Sequence, residues 1–174
     1  MRKAEAQRID QQTSELLRSF GLHSVPVDVA AVASRLGAKL VYADLDDDVS
    51  GFLLRERRLI TIAVNRAHHA NRQRFTIAHE CGHLYLHADQ GDRLWVDKQT
   101  TLFYRDTSSR NGEQQAEIQA NQFAAGLLMP EQLLLDSLTS ETKEADVVQL
   151  ALKFQVSEQS MLLRLGSLDV LGYT

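Results

Sequence analysis

Residues 74–87 read RFTIAHECGHLYLH, and this stretch contains the pattern His-Glu-x-x-His. Its mostly apolar composition predicts a helix buried inside the protein, because a surface helix would carry more polar residues. Side chains four residues apart share a helix face, so His79 and His83 can direct their imidazoles to one metal ion. Glu80 lies about 100° round the helix from His79, where a carboxylate can take a proton from water that the metal acidifies. The stretch predicts the active helix of a zinc hydrolase.

The glycine inside the pattern also needs an explanation. Gly82 costs a helix about 1 kcal/mol relative to alanine, so we expect it to make room for another backbone or for a substrate. The alternative interpretation of the two histidines is a pair of core side chains that hydrogen-bond to the backbone.

Length and composition limit the classes of protein that the chain can represent. Its 174 residues are enough for a buried core, and 44% apolar and 24% charged residues are typical of globular proteins. The net charge of −4 argues against a general nucleic-acid binder. We find no signal peptide at the N-terminus and no apolar run long enough to cross a bilayer. Cys81 is the only cysteine, which excludes an internal disulfide, and we expect a cytoplasmic protein.

The residues before the His-Glu-x-x-His stretch predict two helices and three strands. Apolar spacing and glycine stops indicate the helices, and alternation between turn residues indicates the strands. The helices cover 4–20 and 29–36, and the strands cover 38–42, 51–55 and 59–64. We expect the strands to form a small antiparallel sheet. One edge of it either accepts an extended peptide or is a plain edge strand, and the sequence does not distinguish the two. The acidic turn at 44–48 lacks the glycine and glutamate of a calcium loop, which favours a solvated loop.

The residues after that stretch predict a loop followed by helices. The polar segment 88–111 predicts a long loop with one short strand or turn, and Tyr104 is a candidate donor to an oxyanion. The predicted helices cover 113–129, 131–138, 147–154 and 157–168. The last two look like a helix-turn-helix, but five acidic and three basic residues from Glu141 onward favour packing or partner docking over DNA binding.

A catalytic zinc usually needs three protein ligands, so a carboxylate must join the two histidines. The downstream candidates are Asp89, Asp92, Asp97, Asp106, Glu113 and Glu117. A helix supports a ligand more rigidly than a loop does, which favours the two glutamates. Glu117 is our first choice, because the small residues Ala120 and Ala124 on its face allow close packing against the histidine helix. Glu113 is the second choice.

The stretches RFTIAHECGH at 74–83 and EIQANQFAAGLLMP at 117–130 resemble the ImmA/IrrE family of metallopeptidases. The resemblance runs from Val27 to Pro130. It implies that His79, His83 and Glu117 bind Zn²⁺ and that Glu80 is the general base.

The resemblance also implies a gluzincin-like α+β fold. We expect a small three-stranded antiparallel sheet packed on an active-site helix and a glutamate-bearing helix, with the rest mostly helical. We assign residues 1–139 to a catalytic domain and 140–174 to a C-terminal helical pair that packs on it or docks a partner. Family members are associated with cleavage of helix-turn-helix repressors of the Cro/CI type, so the implied substrate is such a repressor.

Two alternatives to peptidase activity remain at this point. The chain could be a non-cleaving partner of a repressor or toxin, or a DNA-binding regulator with a structural metal that uses bases such as Arg164. Cys81 departs from the family pattern, where an aliphatic residue is usual, and we interpret it as a buried small residue rather than a redox-active thiol. His87 is too far along the helix to join the same ion and is expected to make a supporting hydrogen bond.

Overall fold

The computed structural model describes residues 1–57, 59–87, 93–98, 111–138 and 146–170, with the backbone alone for 93–98 and 111–113. Helices and a single sheet make up these residues, so the α+β class is confirmed. In chain order the elements are α1 (Lys3–Phe20), α2 (Val29–Arg35), β1 (Lys39–Ala43), β2 (Val49–Glu56), β3 (Leu59–Asn65), α3 (Ala70–Leu86), β4 (Arg93–Lys98), α4 (Asn111–Leu128), α5 (Glu131–Leu135), α6 (Asp146–Phe154) and α7 (Glu158–Ser167).

The sheet differs from the expected three-stranded antiparallel sheet in two respects. Within the described residues it has four strands in the order β1-β3-β2-β4, and β1 pairs with β3 in parallel, with Lys39 opposite Thr61. The predicted hairpin of β2 and β3 is present, with Glu56 opposite Leu59. The fourth strand, β4, falls inside the predicted loop and pairs antiparallel with β2. Alternation identifies a strand but not its partner or its direction. The parallel pairing could therefore not be predicted from the sequence.

Local signals in the sequence set the helix ends. Gly21 ends α1 in the left-handed conformation, with φ of 68°, which glycine adopts without strain. Asp28 caps α2 by accepting a hydrogen bond from the Ala31 amide at 2.9 Å. Ser157 caps α7 in the same way, accepting from the Ser160 amide at 3.1 Å. These three boundaries lie within one residue of the predicted ones.

The buried side chain of Asn65 organises the acidic turn before β2. Its amide nitrogen donates to the carbonyl oxygens of Leu45, Asp46 and Val49 at 3.4, 3.2 and 2.9 Å. One buried side chain therefore holds three carbonyl groups of the turn. This arrangement agrees with a structural turn.

One hydrophobic core runs through the described helices and the sheet. Leu17 of α1, Leu127 of α4 and Phe154 of α6 belong to the same buried cluster, as does Met161 of α7. The predicted C-terminal helical pair is present and packs into this core. The division of the chain at residue 139 stays a prediction, because 139–145 lie outside the described residues.

Candidate metal centre

Helix α3 carries the His-Glu-x-x-His pattern through the middle of the protein. Every residue from Thr76 to Leu84 is buried, so both faces of the helix are covered. At its start, His69 caps the helix and accepts a hydrogen bond from the Asn71 amide at 3.2 Å. The side chains of His79 and His83 are 4% and 1% exposed.

Close packing against α4 brings a second set of polar groups to these histidines. A Cβ atom at Gly82 would lie only 3.0 Å from the Ala120 Cα atom and 3.1 Å from its carbonyl oxygen. Since a real Cβ atom would seldom tolerate such contacts with backbone, glycine is what lets the two helices approach. The expectation that Gly82 makes room for another backbone is confirmed.

The structure brings three of the predicted ligands together. The Nε2 atoms of His79 and His83 lie 3.0 Å apart. The carboxylate oxygens of Glu117 lie 3.2 Å from Nε2 of His79 and 3.1 Å from Nε2 of His83. Two ligand atoms about 2.1 Å from one zinc ion in tetrahedral geometry lie about 3.4 Å apart. The observed spacing is close to this value, so the group could hold a metal ion with little movement.

The electrostatics of Glu117 favour its ionised form. Burial acts to raise the pKa of this carboxyl group, but hydrogen bonds from His79 and His83, together with their charge, lower the pKa well below its ordinary value. A metal ligand must be deprotonated, and two imidazole nitrogens with one carboxylate form a donor set suited to zinc. The Glu117 side chain is 49% exposed, so the group opens toward solvent on the glutamate side.

Asn121 of α4 contacts His79 from behind the metal-facing nitrogen, and the sequence did not predict this contact. Its side-chain oxygen lies 3.0 Å from Nδ1 of His79. With a metal in place of the Nε2 proton, Nδ1–H would donate to this oxygen, and the lone pair of Nε2 would point toward the space between Glu117 and His83. The signal was available, because Asn121 follows Glu117 by four residues and therefore lies on the same helix face.

Glu80 follows His79 on α3, and its side chain is fully buried. A carboxylate at this place on the helix is what proton transfer beside a metal requires. Its role as general base stays a proposal.

The remaining candidates fall into three groups. Asp89, Asp92, Asp106 and Tyr104 lie outside the described residues, and Asp97 and Glu113 are described by backbone only. The ring of His87 lies 5.9 Å from that of His83, and burial lowers its pKa. Cys81 is fully buried, and burial raises the pKa of its thiol, as expected for a small core residue.

The structure also corrects the idea that Arg164 could contact DNA. The residue is only 2% exposed. Its guanidinium Nη1 donates to the carboxylate of Asp10 at 2.9 Å. A side chain enclosed in this way cannot reach a phosphate.

Comparisons with known proteins agree with the geometry. The family model described as peptidase M78, IrrE N-terminal-like domain, matches residues 33–166. A solved structure of a Mycobacterium tuberculosis transcriptional regulator has a similar fold, with a TM-score of 0.64 and 17% sequence identity. The match covers 91% of this chain and 47% of that one, so the chain spans about half the length of the regulator. No curated protein matches the chain significantly.

Proposed function

Because the chain belongs to the peptidase M78 family of IrrE N-terminal-like domains, we propose that it is a zinc-dependent, site-specific endopeptidase. The observation that carries the proposal is the convergence of His79, His83 and Glu117, whose ligand atoms all lie within 4.8 Å of one another. Two of these residues come from α3 and the third from α4, so the group exists only in the folded chain. A pair of ordinary core histidines would not require a carboxylate between them.

The residues of the chain would divide the chemistry between them. His79, His83 and Glu117 would hold the ion, and zinc would supply Lewis acidity toward a water molecule and toward the scissile carbonyl. Glu80 would accept a proton from the attacking water and pass it to the leaving amine. The half-exposed side of Glu117 would face the approaching peptide.

The substrate belongs to the proposal as well. An extended peptide can bind a sheet by adding a strand at an exposed edge. Of the described strands, β1 and β4 form the edges of the sheet. We propose that the substrate is a helix-turn-helix repressor of the Cro/CI type, cleaved to relieve repression. Its support is the family resemblance, and a transcriptional regulator of similar fold agrees with a role in gene control.

The proposed place of action is the cytoplasm, where such repressors act. Among the helices of the described residues, none is both long enough and apolar enough to cross a membrane.

The test is incubation of the purified chain with helix-turn-helix repressors encoded near its gene, read by mass spectrometry. We expect one cleavage site, which disappears with a chelator and returns on addition of zinc. Glu80→Gln is the matched variant, because it should keep the metal and lose cleavage. Full activity in Glu80→Gln would remove Glu80 from its role. Binding of a repressor without cleavage by the zinc-loaded protein would instead support a non-cleaving partner.

A further inference from the structure

A buried arginine near the C-terminus joins three helices of the core. The Arg164 guanidinium on α7 donates through Nη1 to Asp10 of α1 at 2.9 Å and through Nε to the carbonyl oxygen of Met129 at 3.1 Å. Both side chains of the ion pair are shielded from water, at 1% and 11% exposure. Met129 directly follows α4, the helix that carries Glu117 and Asn121. Arg164 therefore holds the end of this helix to α1.

Asp10 extends the same contact along α4. Its second carboxylate oxygen accepts a hydrogen bond from the Gln122 side chain at 3.0 Å. A Cβ atom at Gly126 would lie 2.6 Å from that oxygen and 2.9 Å from the hydroxyl of Thr13, so α4 lies close against α1 here. Gly126 is about 180° round the helix from Glu117. Helix α4 is thus held on two faces. Helix α3 packs on the face that carries Glu117, and Asp10 of α1 contacts the opposite face.

The turn between α6 and α7 binds the histidine helix as well. The Asn71 side chain of α3 donates to the carbonyl oxygen of Val156 at 2.9 Å. Arg74 of α3 donates to the carbonyl oxygen of Gln155 at 3.3 Å. The C-terminal segment therefore contacts α3 through its turn and the residue that follows α4 through Arg164.

We propose that Arg164 and Asp10 are positioning residues for the metal centre, and that the C-terminal helical pair holds α3 and α4 in place. The inference rests on the proposed metal site. A buried ion pair that loses one partner leaves a charge without compensation, which strongly destabilises the packing around it, and we expect α4 to shift in response. A shift of α4 moves Glu117 and Asn121 relative to the two histidines.

The test uses the full chain with cobalt(II) alone as the probe, because cobalt replaces zinc and its visible spectrum reports the coordination geometry. Affinity and spectrum are compared for the wild type, Arg164→Met, Arg164→Lys and Gln122→Leu, at a temperature where each variant is folded. We expect Arg164→Met to bind cobalt about 10-fold more weakly, as when supporting contacts of other metal sites are removed, with an altered spectrum. Arg164→Lys keeps a charge opposite Asp10 and should recover much of the affinity.

The exposed pair of Lys3 and Asp169 gives a matched control. It joins α1 to the residues after α7 at 2.8 Å, but its side chains are 73% and 75% exposed. Lys3→Met should leave cobalt affinity and spectrum unchanged.

Gln122→Leu keeps the ion pair and removes only the bond to α4, so it decides the question if Arg164→Met fails to fold. If Gln122→Leu and every folded Arg164 variant bind cobalt with the affinity and spectrum of the wild type, the positioning role is overturned. The proposed function would not be affected by that result. A wild-type protein that binds no metal would overturn the proposed function itself.

Discussion

The Asn121 side-chain oxygen lies 3.0 Å from Nδ1 of His79, and this contact links the two helices that supply the candidate metal ligands. This contact fixes the ring orientation and directs Nε2 toward Glu117. Because Asn121 lies behind the histidine, its effect on the metal must pass through the imidazole.

Replacing Asn121 by alanine should weaken zinc binding by about 10- to 100-fold, the usual cost of losing a partner behind a histidine ligand. Competition with a chromophoric chelator measures this affinity. Asn121→Asp retains an acceptor for Nδ1–H and should bind zinc at least as tightly as the wild type. Equal affinities in the wild type and Asn121→Ala would show that the ring is held by other contacts.

Replacing Gly82 by alanine should separate α3 from α4. The new methyl group would meet the Ala120 backbone, which cannot rotate away as a flexible side chain can. We expect a loss of about 1–3 kcal/mol in the free energy of unfolding, together with weaker metal binding. Chemical denaturation measures the first quantity, and chelator competition measures the second.

Gly166 of α7 supplies the control for that experiment. A Cβ atom there meets nothing within 4 Å, so Gly166→Ala should leave metal affinity unchanged. Its stability should stay the same or rise by up to about 1 kcal/mol, since alanine favours a helix. Equal effects of the two substitutions would contradict the packing argument.

Zinc should raise the melting temperature of the metal-free protein, and Glu117→Ala should abolish that increase. A ligand present at about 100 times its Kd stabilises the folded state by about 2.7 kcal/mol. Differential scanning calorimetry with and without zinc measures the effect. Glu113→Ala is the matched variant on the same helix. Loss of the increase in Glu113→Ala, with retention in Glu117→Ala, would assign the third ligand to Glu113.

The Cys81 thiol should resist alkylation in the native protein. It is fully buried, and burial raises its pKa, so it stays protonated at pH values near 8.5 where an ordinary thiol ionises. Iodoacetamide labelling followed by mass spectrometry should modify Cys81 only after unfolding. Rapid labelling of the native chain would revive the hypothesis of a redox-active thiol.

Local patterns predicted the parts of the structure that local physics controls. Helical spacing located α3 and α4, a glycine stop located the end of α1, and strand alternation located the hairpin of β2 and β3. The association of Glu117 with the histidines also followed, because small residues on one face indicate close helix packing.

Local sequence patterns could not predict contacts between distant parts of the chain. The sequence offered Arg164 as a basic residue that could contact DNA. In the structure it pairs with Asp10, which lies 154 residues earlier in the chain. The parallel pairing of β1 with β3 also depends on tertiary contacts, since β2 lies between them in sequence. Neither arrangement leaves a periodic signal in a single sequence.

The half-exposed carboxylate of Glu117 lies beside two buried imidazoles, so we expect an ion to enter from the glutamate side. We expect movement of this one side chain to admit a cation without opening the buried core around α3. We therefore expect the finished polypeptide to acquire its metal after folding, faster than it unfolds, as stopped-flow mixing can measure. Supply of the ion, rather than synthesis of the chain, would then decide when activity begins.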